Sequence, residues 1–371
     1  MTHDRSHDSN AVVRQPIMHN IGEVQVLIAE DSATVRYYLA QLINEVPGLR
    51  VVGQARDGEE AVRLVEELRP DVVSMDVRMP RMDGIEATRK IMTLHPTPVV
   101  IVSGLVQTEI DLSFQAIESG ALAVVEKPPD RNAPLFAEKR QHLTRTLVAM
   151  SQVKVIRRST KPVVEPVRLE RFTRPQPQVQ PEVIAIGASA GGPSALSRLL
   201  SQLPSDFPVP VVIAQHIPNE FIAGLARWLD KVTPLTVQVA TDGTILAPGV
   251  VNLCPGTTHI QVFRKRGQLV VELNPEHGTH RYQPSVDVLF ESVATACGDR
   301  AIGLVLTGMG DDGARGLLRM RQSGARTLAQ DQSSSTVFGM PGAAIERGAV
   351  EEIVSLSALP IALLNLVPRT G

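Results

Sequence analysis

The sequence predicts an α/β protein of two tandem domains. Each is built on a doubly wound, mostly parallel sheet, and the second carries an antiparallel hairpin excursion. Three observations predict this. Short apolar strands alternate with helical patterns five times between residues 24 and 155, the pattern of parallel sheets covered by helices. The alternation restarts at Val183 after a proline-rich break. Polar residues with chemical potential recur just where strands end, and such sheets hold their sites beyond the carboxyl ends of the strands.

A length of 371 residues is enough for two domains, each with its own core. Two cysteines, Cys254 and Cys297, form neither a disulfide framework nor a zinc spacing, which fits a reducing compartment. No apolar run approaches the roughly 20 residues of a spanning helix. The first residues, with His3, Asp4, Arg5, His7 and Asp8, lack a signal-peptide core. A cytoplasmic monomer with no direct membrane insertion is therefore expected, with a flexible tail over residues 1–22.

Charge marks the division that follows. Residues 1–150 hold 16 Lys/Arg against 21 Asp/Glu, residues 151–181 hold 7 against 2, and residues 182–371 hold 14 against 16. The middle stretch also carries Pro162, Pro166, Pro175, Pro177 and Pro181, the composition of a semi-stiff, basic tether. The expected division is a first domain over 23–150, a linker over 151–181 and a second domain over 182–371.

In the first domain, strands are expected over 24–29, 49–55, 72–75, 98–102 and 123–125. Helices are expected around 33–46, 58–69, 84–95 and 111–118, with a longer one from about 134 to 155. Glu30 and Asp31 follow the first strand, Asp76 ends the third, Ser103 ends the fourth and Lys127 follows the fifth. Three carboxylates on one rim repel one another and call for a cation, and oxygen-only ligands suit Mg²⁺. A lysine and a small hydroxyl beside them would hold an anion. Together they can transfer a phosphoryl group onto a carboxylate.

Residues 24–130 resemble the receiver domain of two-component response regulators. The resemblance rests on Glu30-Asp31-Ser32, on Asp76 within Ser74-Met75-Asp76-Val77-Arg78-Met79-Pro80-Arg81-Met82-Asp83-Gly84, on Ser103, and on Glu126-Lys127-Pro128. It implies that a histidine kinase phosphorylates Asp76. It also implies metal held by Glu30, Asp31, Asp76 and the backbone carbonyl of Arg78, with Ser103 and Lys127 contacting the phosphoryl group. Glu30 stands where Asp is commoner and Ser103 where Thr is frequent; both keep the chemistry.

The second domain opens on Val183-Ile184-Ala185-Ile186 followed by Gly187-Ala188-Ser189-Ala190-Gly191-Gly192-Pro193. Four apolar residues ending at a glycine predict a buried strand. Pro193 predicts a helix start, running through Leu199 and Leu200. Ser189 then sits between strand and helix, near unpaired N–H groups able to hold an oxyanion. Ser189 stands where the dinucleotide fingerprint wants its second glycine and no Gly-Lys-Ser/Thr follows, so nucleotide binding is the weaker reading. The next apolar strand, 209–214, ends in Gln215-His216-Ile217-Pro218, which puts His216 on the same rim as a general base. His277 and His280 lack further metal ligands at suitable spacing and are expected at the surface, while His259 ends no core strand.

Residues 237–273 alternate in period two, with turns at Asp242-Gly243 and Pro255-Gly256, predicting the antiparallel excursion. A helix is expected to start near Pro284-Ser285. The strand 301–306 leads into Thr307-Gly308-Met309-Gly310-Asp311-Asp312-Gly313, where one carboxylate can orient His216 and one can cap the next helix. The order Ser189, His216, then Asp excludes the α/β-hydrolases, which run Ser, Asp, His. No histidine follows Asp312.

Residues 182 to about 367 resemble the catalytic domain of the chemotaxis protein-glutamate methylesterase family, CheB. The motifs are Ile186-Gly187-Ala188-Ser189-Ala190-Gly191-Gly192, Gln215-His216-Ile217-Pro218, Pro284-Ser285-Val286-Asp287 and Leu306 through Gly313. The resemblance implies Ser189 as nucleophile, His216 as base, Asp312 as the residue orienting it and the Met309 backbone in the oxyanion region. It implies a phosphorylation-activated methylesterase acting on glutamate γ-methyl esters of chemoreceptor cytoplasmic helices, and deamidating particular glutamines. Mg²⁺ would serve the receiver alone. Ala190 and Ile217 stand where the family often has Thr and Met. A receiver driving a DNA-binding output is the competing class. The output half carries no basic excess and is too long for a helix-turn-helix module, so nucleic acid is excluded as a partner.

Overall fold

Apolar runs rich in β-branched residues make the inner strands of both sheets buried on both faces. The computed structural model describes residues 23–104, 107–153, 155, 179–276 and 281–367. The expected tail, nearly all of the linker, and His277 and His280 lie outside the described residues.

The first sheet is formed by β1 (Val24–Ala29), β2 (Leu49–Ala55), β3 (Val72–Met75), β4 (Val99–Ser103) and β5 (Ala123–Glu126). It is parallel throughout, in the order β2-β1-β3-β4-β5. Every residue of β3 and β4 is buried. Five helices cover it: α1 (Ala33–Asn44), α2 (Gly58–Leu68), α3 (Gly84–Leu94), α4 (Gln107–Ser119) and α5 (Phe136–Ser151). Ser32, Asp57 and Asp83 cap α1, α2 and α3 by accepting N–H groups of Val35, Glu60 and Glu86. These caps fix where each loop leaves the rim.

The second domain comprises, in chain order, β6 (Val183–Ala188), α6 (Gly192–Leu200), β7 (Val211–Gln215), α7 (Asn219–Val232), β8 (Thr236–Val239) and β9 (Val250–Leu253). There follow β10 (His259–Lys265), β11 (Gln268–Asn274), α8 (Val286–Cys297), β12 (Ala301–Val305), α9 (Ala314–Gln322) and β13 (Arg326–Gln330). The chain closes with α10 (Gly339–Glu346), β14 (Glu352–Val354) and α11 (Leu359–Leu366). Seven strands form one parallel sheet in the order β14-β13-β12-β6-β7-β9-β8.

The antiparallel excursion is smaller than its periodicity predicts. Apart from one further antiparallel bridge at Ile245↔Val270, among the named strands of the described residues only β10 and β11 pair antiparallel, from His259↔Asn274 to Lys265↔Gln268. Their turn is at Arg266-Gly267, both with positive φ (51° and 85°), as tight hairpin turns require. β8 and β9 instead extend the main sheet in parallel. Alternating hydrophobicity reports that a strand has one wet face, and the sheet-edge strand β8 has one; it does not report the direction of the partner.

The two domains meet at α4 and α7. Phe114 stacks on Trp228 with ring centroids 5.5 Å apart, and Trp228 Nε1 donates to Glu118 Oε1 at 2.5 Å. Arg227 reaches Asp111 at 2.8 Å. That ion pair is half exposed and contributes at most about 1 kcal/mol, so apolar burial dominates the contact. Ile110, Phe114 and Ile117 join Leu225, Trp228 and Leu229 in one continuous core cluster. Gly224 permits the close approach: a Cβ there would lie 2.4 Å from Ile110 Cγ2.

Candidate active site

The first rim assembles as its strand ends predict. Glu30, Asp31 and Asp76 present oxygens that lie within 4.8 Å of one another. Lys127 Nζ lies 2.8 Å from Glu30 Oε2 and 3.1 Å from Asp76 Oδ1. Burial raises the Glu30 carboxyl above its usual range, and the neighbouring Asp76 charge adds to this against Lys127. Burial likewise raises Asp76, with Lys127 and the Val77 N–H opposing. Burial works against the Lys127 charge, but Asp76 and Glu30 outweigh it and its pKa is raised. Costly carboxylates gathered with oxygen donors alone fit a hard divalent cation. A cavity of about 340 Å³ opens beside them, lined by Asp31, Arg78, Met79 and Leu112 among others.

Ser103, the last residue of β4, donates to Glu109 Oε2 at 3.3 Å, and the Gly104 N–H donates to the same oxygen at 2.9 Å. Glu109 has no signature in the sequence. It lies on α4, the helix that contacts the second domain, and no strand-end rule points to it.

The second rim is built from three strands. Ala188 and Gln215 are register partners on β6 and β7, so Ser189 and His216 leave adjacent strands side by side. The His216 N–H donates to Ala188 O at 2.9 Å, and the Ser189 N–H to Thr307 O at 3.0 Å. Gln215, buried at the end of β7, donates through Nε2 to Ser189 O at 2.9 Å and to His216 O at 3.0 Å. One amide thus ties both turns together, a role invisible in a lone glutamine of the sequence. Thr307 Oγ1 donates to Ala190 O at 2.9 Å and completes the frame of the nucleophile turn. The Gly308-Met309-Gly310 loop comes close to Ser189: a Cβ on Gly308 would lie 2.8 Å from Ser189 Cβ. Only glycine lets the Met309 backbone approach the serine this way.

Asp312 settles which carboxylate faces the histidine. Its Oδ2 lies 2.8 Å from His216 Nε2. Burial opposes its charge, but the His216 hydrogen bond and charge and the N–H groups of Val286 and Asp287 outweigh it, holding Asp312 below the usual range. An ionised carboxylate only accepts hydrogen bonds. The proton of neutral His216 is therefore on Nε2, which leaves Nδ1 as the basic nitrogen. Neither aspartate caps α9 with its side chain: Gly313 is the N-cap, and the Ala314 N–H bonds to the Asp311 carbonyl at 3.1 Å. The expected side-chain cap fails: Asp312 is turned toward α8, Gly313 occupies the N-cap position, and the Gly316 N–H in the first turn of α9 donates to Asp287 Oδ1 at 2.7 Å instead.

Tyr282, also missed in the sequence, stacks on His216 with centroids 4.9 Å apart and planes 13° from parallel. From the first domain, α5 brings His142 into electrostatic contact with His216. The His142 pKa is lowered to about 4, by desolvation first and then by Lys139, His216 and Arg145; the side chain is nonetheless exposed. Ala190, next to Ser189, and Val337 pack against the core cluster of the first domain that includes Leu143 and Leu147.

Comparison with known proteins finds relatives of both domains. The CheB methylesterase family profile matches residues 184–363, and the response regulator receiver domain profile matches residues 26–135. The chain is 45% identical over 349 residues to a protein-glutamate methylesterase/protein-glutamine glutaminase of Myxococcus xanthus, covering 94% of this chain and 98% of the relative. A protein of the same name from Anaeromyxobacter dehalogenans is 42% identical over 342 residues, covering 91% and 97%. Among solved structures, the Thermotoga maritima CheB methylesterase catalytic domain is 34% identical with a TM-score of 0.50, covering 51% of this chain and all of that one.

Proposed function

The chain belongs to the CheB methylesterase family, with a receiver domain ahead of the esterase, and from that premise we propose a phosphorylation-activated protein-glutamate methylesterase and protein-glutamine glutaminase of chemosensory adaptation. The functional units are residues 23–150 and 182–371, joined by the 151–181 linker. Ser189 Oγ bonds to the γ-carbonyl carbon of a methylated receptor glutamate while its proton passes to His216 Nδ1. The oxyanion that forms is met by the backbone around Met309. The C–O bond to the methoxy group then breaks, and His216 returns the proton to release methanol. Water, deprotonated by His216, attacks the acyl-enzyme and yields glutamate and free Ser189. A glutamine substrate follows the same course with ammonia as leaving group. Asp312 holds His216 by Nε2 and stabilises the imidazolium. These side chains supply every proton transfer, so the hydrolysis needs no cofactor.

On the receiver, Glu30, Asp31, Asp76 and the Arg78 carbonyl would hold Mg²⁺, which offsets the charge of the incoming phosphoryl group. Asp76 accepts that group from a histidine kinase, Lys127 pairs with it, and Ser103 turns toward it from Glu109. The substrate partner is the cytoplasmic helix region of chemoreceptors. The protein acts as a cytoplasmic monomer, without nucleic acid and without inserting into membrane. No described helix is long and apolar enough to cross one.

The observation that carries the catalytic proposal is the hydrogen bond of buried Asp312 to half-buried His216 at the strand end beside Ser189. The test is methanol release from methyl-labelled receptor membranes with and without a phosphodonor. Ser189→Ala should fold normally and lose activity by a factor on the order of 10⁶, as for other triad serines. Retention of more than a few per cent would refute the assignment.

A further inference from the structure

The buried Asp312 carboxylate accepts four hydrogen bonds. One comes from His216 Nε2 at 2.8 Å. The other three come from the start of α8: Ser285 Oγ to Oδ1 at 3.0 Å, the Val286 N–H to Oδ2 at 2.7 Å, and the Asp287 N–H to Oδ1 at 3.1 Å. The orientation of the carboxylate is thus set by a helix that begins 26 residues earlier in the chain. Ser285 uses one oxygen twice. As N-cap it accepts the Val288 N–H at 3.4 Å, and it donates its own hydrogen to Asp312. Because Asp312 is charged and only accepts, the hydroxyl proton has a fixed direction.

Ser285 is held in turn. It is 2% exposed, and its N–H donates to Nδ1 of His259, which is 1% exposed at the head of β10. The accepting Nδ1 carries no proton, so His259 holds its ring proton on Nε2. The result is a continuous chain, His259 to Ser285 to Asp312 to His216, behind the reacting serine.

We propose that Ser285, anchored by His259, is a positioning residue for the ester hydrolysis. It engages Oδ1 so that Oδ2 faces His216, and it draws negative charge away from the oxygen that holds the imidazolium. This rests on the triad proposed above. Without the Ser285 donor, Oδ1 keeps only the Asp287 N–H, and the carboxylate loses one of the two restraints on that oxygen and part of its charge compensation. His216 is then worse aligned and holds a proton more tightly.

The experiment uses the full-length protein with phosphodonor and methylated receptor membranes, measuring kcat and KM against pH alongside thermal melting. Ser285→Gly keeps a residue well accepted at a helix N-cap but removes the donor. It should lower kcat on the order of 10-fold, the scale seen when groups orienting a metal-bound histidine are removed. KM should stay unchanged, and the acid limb of the kcat/KM profile should move to higher pH. Ser285→Thr, which keeps donor and cap, should restore both. Ser285→Cys, close in volume with a weak donor, should fall between and serves if the glycine variant does not fold. Activity loss that only follows the melted fraction, with no shift of the acid limb, would reduce Ser285 to a helix cap. Full activity of Ser285→Gly would also overturn the proposal. Activity in a parallel Ser189→Ala sample would instead overturn the triad itself, which separates the two failures.

Discussion

At the scale of single residues, charge compensation explains the contrast between the two rims. Asp312 is buried, yet four donors keep it ionised, whereas Asp76 and Glu30 are buried with fewer donors than they need and are pushed upward. The first arrangement is complete within the chain; the second is poised for a cation and an anion. Because the folded pKa of Asp312 lies below its unfolded value of about 3.9, its charge contributes stability that is fully present above that pH. The contribution is lost as pH falls through the folded pKa. Asp312→Asn should therefore destabilise by about 1–3 kcal/mol near neutrality, the cost of a buried group left unsatisfied. Its deficit against the wild type should shrink below about pH 4. Denaturant midpoints at pH 7 and pH 3 check this, and an unchanged deficit would remove Asp312 as the charged partner. On the other rim, phosphoryl label from a small-molecule donor should require Mg²⁺ and appear on Asp76. Asp76→Asn should take up none while keeping basal esterase activity. Stable labelling of Asp71 or Asp83 would contradict the geometry.

Among the elements, α4 links the two rims. At its first turns Glu109 accepts from Ser103 and Gly104; further along, Asp111, Phe114 and Glu118 grip α7. A phosphoryl group on Asp76 would draw Ser103 away and repel Glu109, and so would disturb the helix that holds the second domain. Gly224→Ala tests the contact directly. In the isolated second domain the change should be neutral or stabilising by up to about 1 kcal/mol, since alanine is the better helix former. In the full chain the added methyl would meet Ile110 at 2.4 Å, too close for a stiff β-branched neighbour to absorb. Basal esterase activity of the unphosphorylated full chain should rise, with no change in the activity of the isolated domain. Equal effects in both would mean that α4 and α7 do not restrain the enzyme.

For the whole molecule, the position of the receiver suggests restraint. The first-domain core packs against Ala190 and Val337 beside the nucleophile. A receiver so placed would limit the approach of a receptor helix to Ser189. The linker keeps the domains at high effective concentration after release, so phosphorylation needs only to shift a balance between docked and free arrangements. Residues 182–371 alone should demethylate receptors faster than the unphosphorylated full chain and ignore phosphodonor. A slower fragment at equal concentration would make the receiver an activator or a localising module rather than a cover.

The sequence by itself determined most of the parts. Buried strands announce themselves by runs such as Val183-Ile184-Ala185-Ile186, and a parallel sheet puts its chemistry at strand ends, so Asp76, Lys127, Ser189 and His216 were legible from position alone. The tertiary structure decided what depends on partners distant in the chain. Period two could not tell that β8 and β9 pair in parallel while β10 and β11 form the hairpin, because alternation records one wet face and not a neighbour's direction. The choice between Asp311 and Asp312, left open by spacing and given only by family likeness, follows physically from the start of α8, whose Ser285, Val286 and Asp287 donate to Asp312. Glu109, His259 and Tyr282 carry no local signal, and Gln215 none beyond its place in a family motif, since each acts through a contact with a residue far from it or on another element. Local sequence fixes conformation and burial through short-range sterics and hydrophobicity; hydrogen-bond geometry between strand ends exists only once the chain has closed.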